Sequence, residues 1–114
     1  MAYDEETAAR FREQLEGMVG ITEKRMMGGV CFMLNGNMLG GAHREKSGAR
    51  LFMFRIGKEG EKLALSKPNT RPVQLGTRAP LRGFIFVDAD ACGDQELQAW
   101  ISLALSHVAA KPSE

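Results

Sequence analysis

The stretch from Lys24 to Gly41, KRMMGGVCFMLNGNMLGG, constrains the fold of this chain more than any other. Asn35-Gly36 separates two short apolar runs within it. Asn-Gly between such runs is the strongest short signal for a type I′ hairpin turn, because both of its positions need a positive φ. In the run before the turn, Val30, Phe32 and Leu34 share one face of a strand. The stretch therefore predicts a central β-hairpin.

A glycine pair, Gly28-Gly29, separates this hairpin from an earlier alternating run, Ile21 to Met27. Paired glycines between β runs are typical of a tight turn or a bulge. A phosphate-binding loop is the alternative, but such loops open a helix, and here a β run follows with no Gly-Lys-Ser/Thr. The pattern predicts three consecutive antiparallel strands.

Two later runs, Leu51 to Ile56 and Gly83 to Val87, are apolar on both faces apart from Arg55. Strands that are covered on both sides have this pattern, so both runs are predicted to be central in the sheet. The polar segment His43 to Arg50 is predicted to be an exposed loop. A short edge strand at Val73 to Leu75 is a further possibility within a proline-containing loop.

Helical periodicity marks three segments. Asp4 to Met18 is predicted to be a helix with Asp4 as its cap, and its apolar stripe comprises Ala8, Phe11, Leu15 and Met18. Lys58 to Ser66 is a short helix candidate in which Leu63 and Ala64 would form the buried side.

The clearest helix begins at Asp94, which is predicted to be its cap. Its apolar stripe comprises Leu97, Trp100, Ile101, Ala104, Leu105 and Val108. Neighbouring strands without intervening helices favour an antiparallel α+β fold over a doubly wound one. The expected architecture is a single domain over residues 1–114 with two layers, one of helices and one antiparallel sheet of about five strands. The expected order of the elements is α-β-β-β-β-α-β-α.

The predicted sheet has two apolar faces and only one layer of helices. Phe11 and Trp100 are the natural residues to pack on one face. The other face would need a cover, and a second copy of the chain would supply it. The sequence therefore predicts a homodimer.

Overall charge indicates no partner, because 15 basic residues face 14 acidic ones. The distribution is more informative, since residues 62–87 contain five basic residues and no acidic one. Arg55 lies in an apolar strand, so it must reach the strand end or find a carboxylate. A structural ion pair is one interpretation, and an anion or acidic-partner site is the other. The candidate residues for that site are Arg25, Arg55, Lys62, Lys67, Arg71, Arg78 and Arg82.

Catalytic chemistry has weak support in the sequence. Cys31 and His43 would lie at the same end of the hairpin, but a Cys–His nucleophile also needs an orienting third group, and none is evident. A small buried cysteine is the simpler interpretation of Cys31. His107 is expected at the surface or at a helix end. No metal or cofactor site is predicted, and Asp88, Asp90 and Asp94 are assigned to turns and capping.

Two cysteines without a CxxC pattern indicate free thiols in a reducing compartment. The N-terminal MAYDEETAARF is acidic and lacks the apolar core of a secretory signal, and no apolar run reaches membrane-spanning length. A cytoplasmic location with no membrane partner is expected.

The chain resembles the N-terminal domain of the TfoX/Sxy competence regulators. The resemblance rests on an ordered set of motifs: MAYDEETA, KRMMGGVCFMLNGNMLGG, FRIG at Phe54 to Gly57, KPNTRPVQL, GTRAPLRGFIFVD and LQAWISLAL. It implies a secretion-chaperone-like α+β domain. Full-length members of the family it resembles act as transcriptional co-activators with the cyclic-AMP receptor protein and carry a second, C-terminal domain. We expect this chain to correspond to the first domain alone. The family offers no catalytic residues to carry over.

Taken together, these features lead us to expect a non-enzymatic protein-binding or regulatory module, with a protein partner that could belong to the transcription machinery. The alternatives are a small enzyme, an accessory factor acting on nucleic acid, or a direct DNA binder. The basic segment has no interleaved aromatic residues to stack bases, which disfavours nucleic acid.

Overall fold

The computed structural model describes residues 4–26, 28–74 and 77–110. They form one six-stranded antiparallel sheet and three helices, in the order α-β-β-β-β-α-β-β-α. The elements are α1 (Glu5–Gln14), β1 (Ile21–Met26), β2 (Gly29–Leu34), β3 (Asn37–Arg44), β4 (Arg50–Arg55), α2 (Gly57–Ala64), β5 (Thr70–Val73), β6 (Leu81–Asp88) and α3 (Asp94–Ala109). The spatial order of the strands is β1-β2-β3-β4-β6-β5. The predicted α+β class is confirmed, with six strands in place of about five.

The central hairpin forms as predicted. Asn35 and Gly36 have φ values of 52° and 86°, which a type I′ turn requires. Val30 and Phe32 pack with the helices, whereas Cys31 packs on the other face of the sheet. A bulge at Leu39 shifts the pairing of the two strands, so that Phe32 pairs with Gly40 and Met33 with Met38.

The predicted bounds of the loop, His43 to Arg50, are wrong at both ends. His43 lies in β3, where it pairs with Leu51 of β4, and Arg44 pairs with Arg50. Only residues 45–49 connect the two strands. The edge strand does form, but at Thr70–Val73, where it pairs with β6. Met27 and Leu75, which ended two of the predicted runs, lie outside the described residues.

Helix α1 is capped by Asp4, whose carboxylate accepts a hydrogen bond of 3.2 Å from the backbone N–H of Thr7. This hydrogen bond lowers the pKa of Asp4 below its ordinary value. The helix ends at Gln14, four residues before the predicted end. Met18 is therefore 37% exposed, and its place in the buried stripe was wrongly predicted.

The two later helices each depart from one prediction. In α2, Ala64 is buried as expected, but Leu63 is 73% exposed. Glu61 takes the buried side instead, because its carboxylate accepts hydrogen bonds from β6. In α3, Asp94 is the first helical residue, and the cap is Gly93, whose N–H donates to the side chain of Glu96.

An aromatic cluster joins the helices to the sheet. The Phe11 ring is parallel to that of Phe32, with centroids 4.8 Å apart, and lies 5.7 Å from that of Phe54. On the other side of Phe54, the ring of Trp100 lies at 5.7 Å. The predicted packing of Phe11 and Trp100 on the sheet is confirmed.

The face of the sheet away from this cluster is also apolar, and its centre is buried within the single chain. The buried residues are Cys31, Leu51, Met53, Val73 and Phe86, none of them more than 4% exposed. The argument for a covering second copy assumed that this face lies open, and the structure removes that assumption. Homodimerisation stays a prediction.

Three described helices pack on the sheet, and none of them combines the length and apolar character that crossing a bilayer requires.

Two substitutions within the predicted apolar stripe of α1 should differ in their effect on the free energy of unfolding. Phe11→Ala should lower the free energy of unfolding by about 3–5 kcal/mol, because it removes a fully buried ring and leaves a cavity. Met18→Ala should change it by less than about 0.5 kcal/mol, since Met18 lies beyond the helix. Urea titrations followed by circular dichroism measure both values. Equal losses for the two variants would show that α1 continues to Met18.

Candidate functional site

A basic cleft of about 220 Å³ lies where β4 ends and α2 begins. Its lining comes from three places in the chain: the β4–α2 junction, the start of β6 and the last turn of α3. The lining residues are Arg55, Gly57, Lys58, Arg82, Gly83, Phe84 and His107. We call this group the basic cleft.

Two glycines allow the walls of the cleft to approach each other. Gly57 and Gly83 have φ values of 82° and 87°, a region that L side chains rarely adopt. The N–H of Ile56 donates to the carbonyl oxygen of Gly83 at 2.9 Å, which holds the β4–α2 junction against β6. A Cβ atom at Gly57 would lie only 2.9 Å from the ring of His107. Larger residues here would push α3 away from the cleft.

The buried side chain of Glu61 stabilises the cleft through two of its residues, Arg82 and Gly83. Glu61 is 3% exposed, and its Oε1 accepts hydrogen bonds from the Gly83 N–H at 2.8 Å and from Arg82 Nε at 3.1 Å. A buried carboxylate is tolerated when it is paired and hydrogen-bonded in this way. The Arg82 side chain stays 65% exposed, so the pair holds its guanidinium at the cleft while leaving most of it open to solvent.

Arg55 reaches the end of β4, as one interpretation of the sequence required. Its guanidinium carbon lies 5.7 Å from the centroid of the Phe84 ring, a cation–π distance. Among the ion pairs formed by the described residues, none involves Arg55 or Lys58. Arg55 and Lys58 therefore present positive charge that acidic side chains of the described segments do not neutralise, whereas the charge of Arg82 is shared with Glu61.

The start of α2 adds to this positive potential. Its N-cap residue, Ile56, makes no side-chain capping bond, so the backbone N–H groups of the first turn are not satisfied by a cap. The N-terminus of a helix carries a partial positive charge and favours anions. Gly57 and Lys58 place this terminus in the wall of the basic cleft.

The seven cationic residues predicted from the sequence do not form one surface. Arg55 and Arg82 meet in the cleft, while Arg25 lies on β1 at the other edge of the sheet.

The other predicted cations lie outside the cleft. Arg71 forms an ion pair with Glu45. Lys67 lies 5.2 Å over the ring of Trp100. Lys62 and Arg78 are exposed and do not line the cleft.

Sequence reasoning missed three contributors to the cleft: Lys58, Glu61 and His107. Lys58 follows Gly57, the glycine that ended the predicted strand, and a basic residue at such a break is the signal that could have identified it. Glu61 was overlooked because a charged residue in a short helix is normally solvated. His107 is at the last turn of α3, as expected for a helix-end residue, but its neighbours come from β4 and α2.

Cys31 and His43 do line one hollow, as the hairpin register predicted. Cys31 pairs with Gly41, and His43 pairs with Gly29 two residues away on the same strand. Cys31 is buried, which confirms that part of the prediction, and burial raises the pKa of its thiol to about 11. Because the thiolate is the nucleophile, this environment disfavours attack at neutral pH.

The acidic turn before α3 holds structural contacts. The Asp88 carboxylate accepts from the N–H of Asp90, and Asp94 pairs with Arg10 at 3.1 Å. The predicted turn role is confirmed for Asp88, whereas the capping role belongs to Gly93 and not to Asp94. In the part of the chain that the structure describes, no group of three His, Cys, Asp or Glu residues is placed to hold a metal ion.

Comparison with known proteins gives one family. The family model described as the TfoX N-terminal domain matches residues 13–108, which is most of the chain and includes every residue of the basic cleft. Neither the curated proteins nor the solved structures contain a match to this chain.

The hydrogen bonds of Glu61 predict a graded response to substitution. Glu61→Ala should lower the free energy of unfolding by at least about 1–3 kcal/mol, because the buried N–H of Gly83 loses its acceptor. Glu61→Gln should cost less, since an amide oxygen can still accept that bond. Chemical denaturation measures both variants, with Glu59→Gln on the exposed side of α2 as the control. A loss for Glu59→Gln as large as that for Glu61→Ala would contradict this account.

The raised thiol pKa predicts slow alkylation of Cys31 in the folded protein. At neutral pH a pKa of about 11, against an ordinary value of 9.0, lowers the thiolate fraction about 100-fold. Iodoacetamide labelling at pH 7.5, followed by peptide mass mapping, measures the rate. Labelling in urea provides the reference for the unfolded chain. A folded-state rate equal to that reference would instead support a reactive cysteine and the enzyme alternative.

Proposed function

This chain belongs to the TfoX N-terminal domain family, and on that premise we propose that it is a non-enzymatic protein-binding module that resembles the N-terminal domain of competence regulators. The partner that fits the described surface is a protein segment rich in Asp and Glu. The basic cleft is the observation that carries this proposal.

Two features of the cleft support an acidic segment. Arg55, Lys58 and Arg82 place three positive charges around one concavity, and the uncapped start of α2 contributes backbone N–H groups. Carboxylates accept hydrogen bonds from guanidinium groups in a bidentate geometry, and they are also favoured at helix N-termini. An extended peptide could place one carboxylate at Arg55 and the next at Arg82.

The shape and chemistry of the cleft favour a binding role over a reaction. Phe84 lies beneath Arg55, so the base of the cleft is an apolar ring and not a nucleophile. The carboxylate that holds the cleft together, that of Glu61, already accepts two hydrogen bonds. The TfoX N-terminal domain is not a known enzyme family.

Direct DNA binding has less support. Nucleic-acid binding combines cations along the backbone with exposed aromatic rings that stack bases. The predicted cations are distributed over both edges of the sheet and the helical layer, and Arg71 is already paired with a carboxylate. A protein partner is the better fit to a compact cleft.

Binding to a defined acidic probe tests the proposal. A fluorescein-labelled peptide of alternating Asp and Glu should bind the protein in fluorescence anisotropy, whereas the same peptide with Asn and Gln should not. Arg55→Gln should weaken binding about fivefold, which corresponds to ~1 kcal/mol for an exposed charge pair. Arg78→Gln, an exposed cation outside the cleft, is matched in net charge and should have no effect.

Two results would contradict the proposal. Equal weakening by Arg55→Gln and Arg78→Gln would show attraction by overall charge only. A DNA duplex that binds more tightly than the acidic peptide, with an affinity that falls steeply with salt, would favour the DNA-binding alternative.

A further inference from the structure

A second concavity lies on the face of the sheet away from α1 and α3, and it shares no residue with the basic cleft. It is a small hollow of about 10 Å³, with Met26, Cys31, His43, Met53 and Phe86 in its walls. We call it the sulfur hollow. A volume of this size corresponds to about one water-sized sphere, so it has room for a single dehydrated ion.

The strand register explains why four potential ligands surround this hollow. Gly29 pairs with Met26 on one side and with His43 on the other. Two residues along the same face, Gly41 pairs with Cys31 and with Met53. Residues directly opposite one another in a sheet project to the same face. Each glycine therefore provides a bare floor between two side chains that carry a soft donor atom.

Larger residues cannot replace these two glycines without separating β2 from β3. A Cβ atom at Gly29 would overlap the carbonyl oxygen of Ala42, and one at Gly41 would overlap that of Val30. The close approach of the two strands beneath the hollow thus depends on both glycines.

His43 provides the observation that points to a ligand. Its ring stacks on Phe86, with centroids 5.3 Å apart. Its Nδ1 atom is buried and has no hydrogen-bond partner. A buried nitrogen without a partner is costly and uncommon in native proteins. In the neutral tautomer protonated at Nε2, this atom offers a lone pair.

The donor set is selective for one class of metal ion. A thiolate, two thioethers and an imidazole form a soft set, which suits Cu(I), whereas Mg²⁺ and Ca²⁺ require oxygen ligands. Structural zinc sites use thiolate, imidazole and carboxylate, and thioethers are not among their ligands. The buried thiol of Cys31 has only a weak contact, 4.0 Å from the carbonyl oxygen of Met26, so a metal would displace little.

We propose that the sulfur hollow binds one Cu(I) ion through Cys31, His43, Met26 and Met53. On binding, the Cys31 thiol forms a sulfur–copper bond and releases its proton to solvent, and the copper stays monovalent. Packing of sulfur side chains in an apolar cluster is the alternative, and it predicts no metal affinity.

Competition with a chromophoric chelator tests the proposal on the full chain. Under anaerobic, reducing conditions the protein should take one equivalent of Cu(I) from its bicinchoninate complex. Zn²⁺ in excess should not reduce this uptake. Failure to take copper from the chelator, or equal competition by Zn²⁺, would overturn the proposal.

Matched substitutions assign the ligands. Met53→Leu conserves volume and should lower the Cu(I) affinity at least about tenfold, since even loss of a partner behind a ligand costs about 10- to 100-fold. Met38→Leu is the control, because Met38 packs against the same apolar cluster without lining the hollow. Cys31→Ala should have a larger effect than Cys92→Ala, which removes the other buried cysteine. Equal losses within either pair would overturn the assignment.

A spectroscopic readout is independent of affinity. With ¹³C-methyl methionine and Ag(I) as a diamagnetic substitute for Cu(I), the methyl signals of Met26 and Met53 should shift, and that of Met18 should not. Circular dichroism of each metal-free variant confirms that it is folded. A shift confined to Met18 would place the silver at an exposed thioether and contradict the proposal.

Discussion

Burial of β4 on both faces is the constraint on which the rest of this structure depends. Phe52 and Phe54 point to the helical layer, while Leu51 and Met53 point to the other face, and all four are buried. Both faces therefore need partners from the same chain. Helices α1 and α3 supply them on one side, and strands β2, β5 and β6 supply residues on the other. The strand ends at Arg55, and the guanidinium of this residue therefore lies at the β4–α2 junction.

Glycines lie in the walls of both concavities to which we assign a function. At Gly57 and Gly83 a positive φ brings the start of α2 against β6 and opens the basic cleft. At Gly29 and Gly41 the missing side chains leave the sulfur hollow. In both places the side chains around the glycine define the chemistry: cations in the cleft and soft donors in the hollow. The two proposed sites thus differ in chemistry although one small sheet carries both.

Local patterns predicted the fold well because they act over a few residues. Asn35-Gly36 needs nothing beyond its own backbone preference to form the turn, and the alternation of Val30, Cys31 and Phe32 follows from the strand period. The errors occurred where a distant residue decides the outcome. Leu63 fits the apolar side of α2 by period, but the Gly83 N–H and Arg82 draw Glu61 to the buried side. Met18 is a different case, because it continues the stripe of α1 by period but lies beyond the end of the helix at Gln14.

The sequence by itself determined the α+β class, the hairpin and the order of the elements apart from the edge strand β5, since each depends on periodicity and turn chemistry within a short stretch. Tertiary structure alone decided which charges meet. A basic segment from Lys62 to Arg82 is continuous in sequence, but it runs through a helix, an edge strand and a neighbouring antiparallel strand, which distribute its cations over different surfaces. Arg55 and Lys58, Arg82, and His107 come from three separate places in the chain and form the cleft only because β4, β6, α2 and α3 pack together. Long-range packing has no local signature, and for this reason the site could not be recognised before the fold.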